Sequence, residues 1–548
     1  FYNELYEELD RLYVYAYMKF HEDSTNSNYQ ELSGKADTLA VAIMSQTSFF
    51  GPKISELTNE AVEEFYTACP ELKIYEHFLD GVLRQREHTL SEAEEKLLAS
   101  ADEISSASQT IFTMINDADM AFPNIKDSMG NEHSLSHGTY VSYLESEDRV
   151  LRKAAFDSLY ETYLKQKNTL AATYNASVKK DIFYADARKY SSALEMALKD
   201  DNIPVDVYGN LIDAVHESLP LMHRYVALRK KLLGVDKLHM YDLYAPLVKD
   251  VDWKITYDEA KKTVKDALSV MGSDYTAALQ EGFDGGWIDV YENKGKRSGA
   301  YSWGAFGGHP YVLLNHNDTV NSMFTVAHEM GHALHSYFTW KKQPFVYSGH
   351  KIFVAEVAST FNERLLLDYM IKNSNDPIEK IALIEQALGN IVGTFYIQTL
   401  FANYEYQAHK LIEEGKAVTP DVLSGIMDNL FKEYFGDSIT MDELQKIIWA
   451  RIPHFFNSPY YVYQYATSFA SSANLYDRIT NTKYSEEERA KAKEDYLTLL
   501  KSGGNDHPMS QLKKAGVDLE KVESFHAVAV EFDRLLDILE EELNKLEK

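Results

Sequence analysis

Apolar positions recur at helical spacing along most of the chain. Between Phe1 and Phe20, Leu5, Leu9, Leu12, Tyr15 and Met18 fall three or four residues apart and predict an amphipathic helix. Ser91-Glu92-Ala93-Glu94 has the form of a capping box, so a helix start is expected there. Leu144, Leu151, Ala155, Leu159 and Tyr163 carry the helical period into the stretch 141–235. Val528, Phe532, Leu535, Leu536, Leu539 and Leu543 do the same in the tail, Phe525 to Lys548. Two stretches break this rhythm. Residues 118–140 are rich in turn formers (Asp119, Pro123, Asn124, Gly130, His137, Gly138), and a boundary is expected there, dividing an N-terminal helical region 1–140 from 141–548. Between Gly282 and Gly308, glycines interleave with Trp287, Tyr291, Tyr301, Trp303 and Phe306, and Pro310 precedes Tyr311-Val312-Leu313-Leu314, which reads as a short buried strand. The pattern predicts a mainly α protein with a small antiparallel sheet at 280–316. No internal repeat or low-complexity linker interrupts it, which favours one continuous body.

Composition narrows the function. Of 548 residues, 45% are apolar and 13% aromatic, so the chain is not a disordered one. The formal net charge of −29 repels phosphate backbones and anionic lipid, which disfavours nucleic acid and membrane as partners. One cysteine, Cys69, rules out an intramolecular disulfide and a Cys-rich zinc module. A chain this long without a disulfide fits a reducing compartment, and a cytoplasmic location is expected. No apolar run reaches the roughly 18–20 residues of a membrane helix, and no signal peptide is visible. The chain starts at Phe1 rather than Met, inside a helical pattern, so the natural N-terminus is expected upstream.

The chemistry concentrates at Asn321–His335, which contains H-E-x-x-H. Residues four apart on a helix share a face, so His328 and His332 can both offer imidazole nitrogen to one zinc ion. Glu329 is rotated about 100° from that pair and can reach a water rather than the metal. Chance alone would produce the motif in about one such chain in twenty, so context matters. The context is amphipathic: Met323, Phe324, Ala327, Met330 and Leu334 form an apolar stripe. Gly331 is the misfit, because glycine inside a helix costs about 1 kcal/mol relative to alanine. Close approach of another backbone or of substrate would account for it. A catalytic zinc site keeps three protein ligands and an open position. Lys351 to Lys372 reads as a second helix, joined through Pro344 and Gly349, that returns antiparallel and brings Glu356 as third ligand. Glu363, seven residues on, faces the same way and is expected to orient a ligating histidine; the alternative is a solvated helix charge. His309, His316, His335 and His350 are read as packing or lining residues.

At these residues a resemblance becomes visible. H-E-M-G-H-A-L-H at 328–335, followed by F-V-A-E-V-A-S-T-F-N-E at 353–363, resembles the thimet-oligopeptidase-like zinc metallopeptidases, and within them the oligoendopeptidase F group. Ser298-Gly299-Ala300-Tyr301, Pro310-Tyr311-Val312-Leu313-Leu314-Asn315, Arg451-Ile452-Pro453-His454-Phe455-Phe456 and Pro459-Tyr460-Tyr461-Val462-Tyr463-Gln464-Tyr465 extend it. The resemblance implies a two-lobed helical fold with a deep central channel, and one zinc held by His328, His332 and Glu356 in a catalytic region 141–548. It implies Glu329 as general base and cleavage of short peptides, with no obligate protein partner. It also implies that a histidine and tyrosines of the downstream block steady the oxyanion. His454 and Tyr465 are favoured, then Tyr463 and Tyr460. The histidine-to-tyrosine spacing is one residue shorter than in thimet oligopeptidase, which leaves the individual tyrosine roles open.

Gly299, Tyr301, Tyr311 and Tyr461 are the expected substrate-binding residues, with glycines admitting substrate backbone and the strand 311–315 offering its edge to an extended peptide. The glycine-rich run is not a phosphate loop, since it lacks the G-K-[ST] ending. Two rival readings stay open. One is a peptidyl-dipeptidase or carboxypeptidase, which needs a cation such as Arg451 for the terminal carboxylate. The other is a non-catalytic peptide-binding protein, against which the intact Glu329 argues.

Overall fold

Helices carry most of the chain, and several start on the chemistry legible in the sequence. At Ser91 the hydroxyl accepts from the Glu94 amide while the Glu94 carboxylate accepts from the Ser91 amide, so both halves of the capping box are made. The computed structural model describes residues 1–248 and 253–546. The first helix runs Tyr2–Glu22. The last runs His526–Leu546 and buries Val528, Phe532, Leu535, Leu536 and Leu539; residues 547 and 548 of the expected tail lie outside the described residues. Among the described residues no helix is long and apolar enough to cross a membrane.

Packing divides the chain into two compact units that interleave along it. One gathers Phe1–His88, Asp252–Asn373 and Ser471–Asp518; the other gathers Thr89–Val251, Ser374–Ala470 and Leu519–Lys548. The sequential division at residue 140 therefore describes a change of composition along the chain, whereas the cores are built from separated segments. Among the described residues the second unit is helical apart from two short strand pairs, Ile125–Lys126 with Glu132–His133 and Leu238–His239 with Ile439–Thr440. Its long helix Val205–Leu232 packs against Pro420–Phe435 and the C-terminal helix.

The first unit holds a three-stranded sheet. Tyr311–His316 lies in the middle, parallel to Ile288–Tyr291 (Ile288 opposite Val312) and antiparallel to Tyr301–Trp303 (Trp303 opposite Tyr311). Val312, Leu313 and Leu314 are buried in succession, as expected of a strand covered on both faces. Two expectations need correction. The sheet is mixed, not purely antiparallel, and 311–315 has neighbours on both sides, so it offers no edge to a peptide. The reason lies in the connection after Tyr291. It detours through Gly295 and Gly299, both left-handed (φ +87° and +82°), and is tied to the N-terminal segment by Ser24 N–H to Gly295 O and Arg297 N–H to His21 O, each 2.8 Å. No tight hairpin joins the first two strands, and the third inserts between them.

Candidate metal centre

The H-E-x-x-H segment lies on the helix Val320–Lys342 in the first unit. Thr319 caps it, its hydroxyl accepting from the Ser322 amide, and Lys341 and Lys342 complement the dipole in the last turn. Met323, Phe324, Ala327, Met330 and Leu334 are buried, as the apolar stripe required. The partner helix is Ile352–Asn373. Contacts step in opposite directions along the pair: the Asn362 side-chain amide donates to Ala327 O (3.2 Å), and Gly331 sits against Ala358 and Ser359. The two helices are thus antiparallel. Gly331 is explained by this approach, since a Cβ there would lie 2.6 Å from both Ala358 O and Ser359 Cα.

The approach brings three donor atoms together. His328 Nε2 is 3.2 Å from His332 Nε2, and Glu356 Oε2 is 3.4 Å and 3.5 Å from those two nitrogens. A tetrahedral ion with bonds of about 2.0–2.1 Å has ligand–ligand edges of about 3.3–3.4 Å. The triangle is therefore one face of such a tetrahedron. Glu363 accepts a hydrogen bond from His328 Nδ1, which turns the Nε2 lone pair towards the other two donors. The Ser359 hydroxyl donates to Glu356 Oε2 at 2.8 Å. The partner helix is itself fastened: the Thr360 hydroxyl and Arg364 Nε reach Ser472 Oγ at 2.8 Å and 3.2 Å.

The electrostatics favour a cation. Burial opposes a charge on His328, yet Glu363, then Glu329 and Glu356, lift its pKa to about 9. Burial likewise works against the charge on Glu356, but His332 and His328, with the Ser359 hydroxyl, draw it down to about 2. Glu329 differs. It is only 6% exposed, its Oε2 has no hydrogen-bond partner, and burial pushes its pKa up against the pull of His332 and His328. A buried carboxylate with a spare oxygen beside a cation site is equipped to take a proton. His335 and His350 stack at 3.9 Å, and burial lowers the pKa of both, to about 4 for His350. The other two nearby histidines are engaged elsewhere: His309 stacks on Trp287, and His316 Nε2 lies 3.3 Å from Ile255 O.

The strands that carry Tyr301 and Tyr311 pack against the helix that carries His328 and His332. Tyr301 and Tyr311 line a cavity of about 630 Å³ shared with Arg11, Tyr15 and Trp287, to which none of His328, His332 and Glu356 contributes. The Tyr301 hydroxyl meets His21 Nδ1 at 2.9 Å, and Gly299 O accepts from Asn315 Nδ2 at 2.8 Å. The downstream block belongs to the second unit, where the structure sorts its tyrosines into two sets. His454 stacks on Tyr461 (5.6 Å, 11°), and Tyr465 meets both rings edge-on at 6.0 Å and 5.6 Å. Tyr460 and Tyr463 are each 3% exposed and pack against Tyr208. Arg451 donates to the Tyr160 hydroxyl (3.2 Å) and lies over the rings of Tyr140 and Tyr160.

The sequence profile of Peptidase family M3 matches residues 142–529, and that of Oligopeptidase F matches 53–122. The chain belongs to peptidase family M3. This M3 chain is 44% identical to oligopeptidase PepF of Bacillus subtilis over 100% of its own length and 80% of that protein. It is 40% identical to group B oligopeptidase PepB of Streptococcus agalactiae over 98% and 88%. A crystal structure of a peptidase from Chlamydophila abortus superposes with a TM-score of 0.93 at 37% identity, covering 99% of this chain and 89% of that one. Oligoendopeptidase-F from Enterococcus faecium gives 0.77 at 35%, covering 99% and 92%. As an M3 peptidase the chain is a metalloendopeptidase.

Sequence reasoning missed two features of this M3 chain. The pairing of Tyr461 with Tyr465 had a signal in their i, i+4 spacing. Glu405, whose carboxylate accepts from the Tyr460 amide at 2.7 Å, had one in its i, i+4 spacing to His409.

Proposed function

We propose that His328, His332 and Glu356 hold one zinc ion, and that with Glu329 as general base the chain hydrolyses internal bonds of short peptides. The observation that carries this is the donor triangle beside an unpartnered, buried Glu329 oxygen. Zinc bound there supplies Lewis acidity, acidifying water and polarising the scissile carbonyl. Glu363 orients the His328 ring, and Ser359 orients Glu356. Glu329, its basicity raised by burial, takes one proton from the attacking water as the water oxygen adds to the carbonyl carbon. It returns that proton to the amine nitrogen as the C–N bond breaks. His454 is kept neutral by burial, which lowers its pKa, and it joins Tyr461 and Tyr465 as donors towards the oxyanion. Tyr460 and Tyr463 we assign to packing, because their rings are buried in the core.

The names of the relatives, oligopeptidase and oligoendopeptidase, support short peptides as substrates. Arg451 favours the endopeptidase reading over an exopeptidase one, since its guanidinium is engaged by Tyr140 and Tyr160 rather than available for a terminal carboxylate. Cys69 is exposed and free, in keeping with a reducing compartment, and we place the activity in the cytoplasm. The test is an internally quenched peptide blocked at both ends, with and without chelator. Cleavage that stops on chelation and returns with zinc is expected. Cleavage restricted to peptides with a free C-terminus would overturn the endopeptidase assignment.

A further inference from the structure

Glu405 lies on the helix Ile397–Glu413 and is completely buried. A carboxyl group in that position needs a reason, because burial opposes its charge. Its Oε1 accepts from the backbone N–H of Tyr460 at 2.7 Å, and its Oε2 is buried without a partner. Tyr460 has φ +53°, the left-handed region in which a non-glycine residue persists only when its surroundings over-determine it. The surroundings can be named. The Tyr460 ring packs on His409 at 4.6 Å and on Tyr208 at 5.6 Å, and the Glu405 carboxyl holds its amide.

His409, one turn beyond Glu405, is locked in turn. Its Nδ1–H donates to Glu405 O at 2.9 Å, and its Nε2 lies 3.3 Å from buried Asp181, whose other oxygen meets Lys180 at 3.1 Å. Burial raises the Glu405 pKa to about 8, so the group can hold this place neutral. The left-handed turn at Tyr460 sets the direction in which the chain enters Tyr461 and then the helix Tyr463–Thr480, which carries Tyr465.

We propose that Glu405 is a positioning residue: by pinning the Tyr460 amide it fixes the left-handed turn that aims Tyr461 and Tyr465, and with them the stacked His454. This rests on the oxyanion role given to those three side chains above. The role needs an acceptor oxygen at the Oε1 position and does not need a charge. Glutamine satisfies that requirement. Aspartate, one methylene shorter, does not reach.

The experiment compares zinc-loaded full-length wild type, Glu405→Gln and Glu405→Asp on the doubly blocked quenched peptide. Zinc content and hydrogen exchange of the segment 457–466 are measured alongside. Glu405→Gln should keep kcat within about threefold and keep the Tyr460 amide protected. Glu405→Asp should expose that amide and lose roughly 10- to 100-fold in kcat, with KM and zinc content little changed, as misplacement near 1 Å does. Wild-type kcat in Glu405→Asp, or an equal loss in Glu405→Gln, would overturn the proposal. Should the Asp variant fail to fold, Glu405→Met is judged by the same criterion, and rapid exchange of the Tyr460 amide in the wild type refutes the pin by itself. A wild type that does not cut blocked peptides at all would instead sink the endopeptidase reading and leave the exchange result standing.

Discussion

Replacing Gly331 by alanine tests how the metal centre is built. Inside an exposed helix this change stabilises by about 1 kcal/mol. Here the new methyl would sit 2.6 Å from Ala358 O and Ser359 Cα and 2.8 Å from Ala358 C. All three atoms are backbone, so no side chain can swing away. Ordinary contact requires the two helices to part by roughly 0.6–1 Å, and overpacking of that kind costs about 1–3 kcal/mol. The net expectation is a modest loss of stability, about 0–2 kcal/mol. The larger consequence falls on the donors. His328 and His332 share one helix, so their 3.2 Å separation survives. The 3.4 Å and 3.5 Å distances to Glu356 cross the parting helices and would stretch beyond a tetrahedral edge. Zinc affinity should fall at least tenfold, measured by competition with a chromophoric chelator. Gly389→Ala is the control, because that glycine is also helical yet has nothing within 4 Å of its Cβ position; it should gain stability and bind zinc normally. A Gly331→Ala protein that matched the control in both assays would refute the close-packing argument.

Other expectations follow from the same geometry. Glu329→Gln should retain zinc by elemental analysis and lose about 10²–10⁴-fold in kcat, the range of a general base. Glu356→Ala should lose the metal outright, whereas Glu363→Ala should weaken zinc binding by about 10–100-fold, as loss of a carboxylate that orients a ligating histidine does; metal titration separates the two. Tyr465→Phe should lower kcat more than it changes KM, while Tyr463→Phe, whose ring is buried, should show itself in thermal stability. Glu405 also makes a pH prediction. Its folded pKa, about 8, lies above the ordinary value of 4.5, so its contribution is complete below about pH 4.5 and is lost as pH rises towards 8. Urea midpoints at saturating zinc should fall across that window with a slope of at most about 1.4 kcal/mol per pH unit. Glu405→Gln should flatten the slope, and an unchanged slope would contradict the assignment.

Much of the centre could be read from residue spacing because it is local. His328 and His332 lie on one helix, Glu356 and Glu363 on the next, and a short connection leaves them little choice but to pack together. Gly331 was legible for the same reason, as a glycine where the helix wanted alanine. The sheet was not, because its strand order depends on a detour pinned to residues 21–24, far away in sequence. The tyrosines divide at the left-handed turn of Tyr460 and at the start of the helix Tyr463–Thr480, and neither break is visible in a run holding Tyr460, Tyr461, Tyr463 and Tyr465. Beyond its spacing to His409, nothing in the local sequence sets Glu405 apart from other helix carboxylates. Only the fold reveals that the amide it meets is 55 residues away.

The interleaved make-up of the unit bearing the trio has a consequence for its life on the ribosome. That unit takes a share from each of three stretches, the last ending at Asp518, and the partner helix is fastened through Ser472. At roughly 5–20 residues per second, about half a minute to two minutes separates translation of Phe1 from that of Asp518. Until then a nascent chain holds the motif without its finished scaffold. The complete unit around the trio can therefore form only after Asp518 has been translated.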